Sequence, residues 1–132
     1  AVTSLKNSVT NPHIPKGSDF VVYTCFGILG KERFEIYRRY SDFAVLRESL
    51  CDRFPGLYVP PIPSKKAIGN KEQVFVDERC FLLNMFIKQL SRCPYLVESQ
   101  EFLIFVKPTT RSLQRELSLL PEMSPENQLL RI

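Results

Sequence analysis

From about residue 19 the chain alternates apolar and polar positions with a period of two, and after residue 41 the period lengthens to about 3.6. DFVVYTCFGI and RFEIYRRY are rich in β-branched and aromatic residues and are predicted strands. Gly30, Lys31 and Glu32 supply the turn between them, so the two form a hairpin. A further strand is expected near SLKNSVT, ahead of the polar turns of NPHIPKGSD, which completes a three-stranded antiparallel meander. Ser41 and Asp42 supply N-cap chemistry for a helix in which Phe43, Leu46 and Leu50 share one face of SDFAVLRESLCDRF. Pro55 and Gly56 end that helix.

The proline-rich segment GLYVPPIPSKKAIGNK follows and is too long and too polar at its end to be core. A second amphipathic helix is predicted over residues 74–92, with Phe75, Leu82, Leu83, Phe86 and Leu90 buried and Pro94 as its stop. Its run CFLLNMFIKQL is broken by Asn84 and Lys88, so it reads as a core helix, and no apolar run approaches the roughly 20 residues needed to span a bilayer. SQEFLIFV gives a shorter helix. The fold class is therefore α+β: a three-stranded antiparallel sheet packed against a helical subdomain, with the proline-rich loop between the first two main helices.

Beyond Lys107 the character changes. A break at Pro108 precedes the short amphipathic helix SLQRELSLL, and SPENQLLRI has the Ser-Pro-Glu signature of a helix start. Residues 1–107 are expected to form one compact domain and residues 108–132 a helical linker or the start of a following helical region. The alternative is a short helical extension that packs back on the domain.

Composition narrows the picture only modestly. With 132 residues, 44% apolar and 24% charged, the chain is one ordinary globular domain. The net charge of +4 favours anionic partners without choosing among phospholipid, nucleic acid and acidic protein. A nucleic-acid partner lacks support, because no basic recognition helix and no interleaved basic and aromatic run is present. Cys25, Cys51, Cys80 and Cys93 include no C-x-x-C pair, and with His13 as the single histidine no metal site is expected. The cysteines fit reduced, buried thiols. His13 has no serine and carboxylate partners at suitable positions, and neither a P-loop nor G-x-G-x-x-G occurs. The chain is expected not to be an enzyme, and no cofactor is expected.

What stands out is EIYRRYSDF. Successive strand side chains point to opposite faces, so Arg38 and Arg39 cannot both face solvent. One must turn inward or into a cleft, where an anion would be needed. Further cations sit at awkward places: Lys65 and Lys66 just past the prolines, and Arg79 inside an amphipathic helix beside Phe75, Phe81 and Leu82. Spacing alone does not show that they converge.

RRYSDF, then PPIPSKK, then an arginine ahead of FLLNMFIKQL, in that order from about residue 21 to 107, resembles the phox-homology (PX) domain of sorting nexins. The resemblance implies a phosphoinositide-binding module, most simply for phosphatidylinositol 3-phosphate. Carried over by motif, Arg39 would bind the 3-phosphate, Tyr40 would lie flat against the inositol ring, Lys65 would contact the 1-phosphate and Arg79 the 4- and 5-hydroxyls. Arg38 would point the other way, in a structural or general electrostatic role. Lys66 is the alternative to Lys65 as phosphate ligand, one residue along. Lys66, Ile68 and Lys71 would contact the membrane, each lysine worth about 1 kcal/mol near an anionic leaflet and a buried isoleucine about 2 kcal/mol. Together these suit reversible, micromolar-class recruitment, about −8 kcal/mol. Such a module is expected to be cytoplasmic and peripheral on early endosomal membranes, serving protein transport, with coat or trafficking proteins as possible further partners and the isolated chain a monomer. A PX-like interaction module that binds no lipid is the alternative, and Pro60, Pro61, Ile62 and Pro63 also fit the P-x-x-P pattern of SH3 ligands.

Overall fold

A computed structural model describes residues 7–65, 73–110 and 112–121. Strands β1 (Ser8–His13), β2 (Val22–Leu29) and β3 (Glu32–Arg39) form an antiparallel sheet in that order. The β2–β3 ladder runs unbroken from Val22 opposite Arg39 to Leu29 opposite Glu32, and Gly30 takes the positive φ of 65° that its tight turn needs. Gly27 is required for a different reason. The side chain of buried Asn7 lies against it, accepting from the Ile28 N–H at 3.0 Å, and a Cβ at Gly27 would fall 1.9 Å from the Asn7 Oδ1.

Period two sorts the side chains of the hairpin. Tyr23, Cys25, Ile36 and Arg38 face the helices and are buried, while Tyr37 and Arg39 face out. Helices α1 (Tyr40–Arg53) and α2 (Gln73–Ser91), with the short helices α3 (Pro94–Val97), α4 (Gln100–Phe105) and α5 (Leu113–Ser118), close over that face. Phe43, Leu46, Leu50, Leu83, Phe86, Leu90, Phe102 and Phe105 are all fully buried, each contributing about 1.5–3 kcal/mol of apolar transfer. Leu113 and Leu117 of α5 belong to the same core cluster. At the far end of α1, Arg53 pairs with the buried Glu101 at 2.6 Å.

The expected α+β architecture is the one observed, with instructive differences of detail. The helix after the sheet starts at Tyr40, with no loop: Arg39 is its N-cap, and Asp42 stands three residues in, accepting the Arg39 N–H at 2.9 Å. Asp42 therefore closes the first turn from inside the helix rather than capping it. In α2, Leu83, Phe86 and Leu90 are buried as expected, but Leu82 faces solvent and Phe75 is half-buried, and Val76, Cys80 and Ile87 complete the inner face. Val74, Phe81, Leu82 and Met85 put apolar side chains on the outer face as well, and polar contacts with β1 help to set the register. Asn84 accepts the Val9 N–H at 2.8 Å, and Lys88 donates to the Asn7 carbonyl and the Ser8 hydroxyl at 3.2 and 3.1 Å. Pro94, expected only as a stop, also opens α3 at its first position. Residues 4–6 of the predicted first strand, and SPENQLLRI, lie outside the described residues.

The inward arginine is Arg38, and its partners are carbonyl oxygens rather than an anion. Nε and Nη2 donate to the Phe105 carbonyl at 3.1 and 2.8 Å, Nη2 also donates to Lys107 at 2.8 Å, and Nη1 donates to Tyr37 at 3.2 Å. The fork thus satisfies carbonyls left open at the C-terminus of α4. Burial pulls its pKa below the usual arginine value, opposed in part by Asp42. Arg38→Ala is expected to lower unfolding stability by roughly 3–5 kcal/mol. Arg39→Ala, one residue on and exposed, should shift it by no more than about 1 kcal/mol. Urea midpoints of the two variants measure the contrast, and equal midpoints would refute this division of roles.

Candidate functional site

The site forms where the end of β3 turns directly into α1. Because the helix begins at Tyr40, Arg39 is presented at the sheet edge and Tyr40 at the helix N-terminus. The proline segment is drawn back towards them. Arg47 of α1 donates from Nε to the Pro60 carbonyl at 2.8 Å, and the Tyr40 hydroxyl donates to the Pro63 carbonyl at 2.5 Å. The neighbouring carbonyl, that of Ser64, accepts from Arg79 Nη2 at 3.3 Å. Lys65, the next residue, is exposed at the rim of this arrangement.

Arg79 enters from α2, with its guanidinium 4.1 Å from the centroid of Tyr40 and 4.6 Å from that of Phe75. It is thus held between two aromatic faces, and its buried Nε has no hydrogen-bond partner among the described residues. Tyr23 lies on the inner side of Arg79, and burial pushes its phenol up to about 12 although the nearby guanidinium pulls the other way. Arg39 turns outward and lays its guanidinium over Phe20, 3.9 Å from the ring centroid.

The structure therefore joins Tyr40, Arg79 and the backbone beside Lys65 in direct contact. Arg39 stands next to them in the chain, held on a separate aromatic ring. Among the described residues none of these cations pairs with a carboxylate; the ion pair found there is Arg53 with Glu101. Lys66, Ile68 and Lys71, expected to touch a membrane, lie outside the described residues. Sequence reasoning did not single out Arg47 or Phe20. The only signal for Phe20 was its place two residues before Val22, the residue that pairs with Arg39 across the hairpin.

A family model of the PX domain matches residues 28–109, which takes in RRYSDF, the proline segment and α2. The chain belongs to the PX-domain family. The PX domain here is 33% identical over 75 residues to vacuolar protein sorting-associated protein vps5 of Schizosaccharomyces pombe, covering 57% of this chain and 13% of that protein. Sorting nexin 1 of Arabidopsis thaliana is 27% identical over 121 residues, covering 84% of this chain and 30% of its own length. Among solved structures, the X-ray structure of a designed CISK-PX domain superposes with a TM-score of 0.64 at 30% identity, covering 75% of this chain and 97% of that one. The chain thus spans less than a third of the length of these curated relatives. PX domains in general bind phosphoinositide lipids, and PX domains and sorting nexins are in general non-enzymatic adaptors. No helix of the described residues is long and apolar enough to cross a membrane.

The buried Tyr23 gives this PX domain an alkaline limit. The folded state keeps the phenol protonated to about pH 12, whereas an unfolded tyrosine ionises near 10. Its contribution to stability is complete below pH 10 and is lost as pH rises through 12. Chemical unfolding midpoints at pH 9 and above should fall with pH in the native protein and fall less in Tyr23→Phe. Identical slopes would show that Tyr23 is not the group responsible.

Proposed function

We propose that this PX domain is a membrane-recruitment module selective for phosphatidylinositol 3-phosphate, serving protein sorting at early endosomes. The observation that carries the proposal is the cluster at the β3–α1 junction: Arg39, Tyr40, Arg79 and the Lys65 rim, whose cationic side chains form no ion pair among the described residues. Arg39 takes the 3-phosphate. A guanidinium stacked on a ring by its face keeps its in-plane N–H groups free, and these match two phosphate oxygens at once. Lys65, exposed and compact in charge, contacts the 1-phosphate near the bilayer, with Lys66 as the neighbouring alternative. Arg79 turns its N–H edge to the 4- and 5-hydroxyls, and Tyr40 provides the apolar surface beneath the inositol ring.

Membership of the PX family and likeness to proteins named for vacuolar sorting support the trafficking part of the reading. Contact of Lys66, Ile68 and Lys71 with the leaflet, and coat or trafficking proteins as partners, complete it. Residues 1–107 are taken as the lipid-binding unit and residues 108–132 as the connection to a following helical region, anchored at its start by α5. The domain by itself acts as a monomer and carries no chemistry of its own.

Co-sedimentation with vesicles tests the proposal at physiological salt. Vesicles containing phosphatidylinositol 3-phosphate should pellet the native chain, and those containing unphosphorylated phosphatidylinositol or the bisphosphates should do so weakly. Arg39→Ala should reduce binding at least about tenfold, the loss of one bidentate charge-assisted contact, while leaving the fold intact. Equal pelleting with every anionic vesicle, or none, would remove lipid selectivity and leave a PX fold whose partner is a protein.

A further inference from the structure

We infer that Phe20 is a positioning residue for Arg39, setting the plane and reach of the guanidinium before any ligand arrives. The inference rests on the headgroup reading of Arg39 given above. Phe20 lies outside the segment matched by the PX family model, residues 28–109, and belongs to the approach to β2 rather than to the RRYSDF motif. In the β2–β3 ladder Val22 stands directly opposite Arg39, so Phe20, two residues earlier, is the diagonal neighbour on the same face. Diagonal neighbours are within reach of long and aromatic side chains, and here the guanidinium carbon lies 3.9 Å from the ring centroid.

The physical consequence follows from the shape of the two groups. A free arginine at an exposed strand end samples many rotamers, and ordering it on ligand binding is unfavourable. Phe20 is itself half-buried, so its ring offers the guanidinium a placed surface. Stacking engages one face of the guanidinium plane, whereas a phosphate engages its N–H edge, so the two contacts do not compete. No described carboxylate holds Arg39 instead. The backbone N–H of Arg39 is fixed separately by Asp42 at 2.9 Å, so both ends of the residue are constrained: the main chain by the helix turn, the side chain by Phe20.

The test compares the native chain with Phe20→Leu and Phe20→Tyr, using a water-soluble short-chain phosphatidylinositol 3-phosphate by calorimetry so that membrane insertion plays no part. Phe20→Leu should weaken binding about five- to tenfold, and Phe20→Tyr, which keeps the ring, should bind as the native chain does. In the ligand-free protein the Arg39 Nε–H resonance should carry a ring-current shift that disappears in Phe20→Leu and persists in Phe20→Tyr. A role confined to stability would not move that resonance. Phe20→Met serves as a second non-aromatic variant should the leucine protein fail to fold. Native binding that Phe20→Leu and Phe20→Met leave unchanged overturns the inference alone. Failure of the native chain to bind the soluble lipid overturns the headgroup reading and this inference with it.

Discussion

Arg38 reaches from the last strand into the interior and gives its N–H groups to the carbonyls of Phe105, Lys107 and Tyr37. Those bonds tie the sheet to the end of α4, and with it the chain that leads on to α5. They also fix the facing of everything beside them. Because strand side chains alternate, holding Arg38 inward obliges Arg39 to face outward, and the helix that starts one residue later carries Tyr40 at its first turn. One buried guanidinium thus determines where an exposed one stands. The burial that makes the first arginine a structural element is costly for a charge, and four hydrogen bonds to three carbonyls offset it.

The same logic of fixed neighbours organises the proline segment. Prolines stiffen residues 60–63 but do not by themselves aim Lys65 anywhere. Direction comes from donors on the two long helices: Arg47 to Pro60, Tyr40 to Pro63 and Arg79 to Ser64. Each takes a backbone carbonyl, so the loop is held by its main chain and by buried Val59 and Pro60, while the side chains of Ser64 and Lys65 stay exposed. A lysine at the edge of such a loop is presented by the scaffold.

Much of this was legible in the sequence, and for identifiable reasons. The hairpin announced itself through alternation and a glycine turn, and α1 through the clean spacing of Phe43, Leu46 and Leu50, all of which are buried. The motif residues were readable because their order and approximate spacing match a family pattern. The inner face of α2 was harder, since Val74, Phe75, Phe81, Leu82 and Met85 are as apolar as the residues that are buried. Hydrophobicity therefore marks the inner face only loosely, and Asn84 and Lys88 add contacts to β1 from 75 and 81 positions away that no local pattern records. Phe20 and Arg47 escaped notice for the same reason. Their roles lie in what they touch across the fold, and a local pattern carries no record of that.

The two arginines of the site also differ in how firmly they are held. Arg39 rests on one ring and gives its main-chain N–H to Asp42, and among the described residues no hydrogen bond occupies the edge of its guanidinium. Arg79 lies between Tyr40 and Phe75, donates to the Ser64 carbonyl, and has a buried Nε with no hydrogen-bond partner among the described residues. An unmade hydrogen bond at a buried polar group costs about 1–3 kcal/mol, and more where the group is charged, so the two ring contacts are a main part of what holds Arg79 where it is. A sugar ring approaching Tyr40 therefore meets one face already covered by a guanidinium. It must take the opposite face or move Arg79 along the ring, and moving Arg79 gives up stacking while offering hydroxyl acceptors to N–H groups that lack them. In the proposed headgroup reading these two terms oppose each other. That balance suits a module whose proposed task is to visit a membrane and leave it.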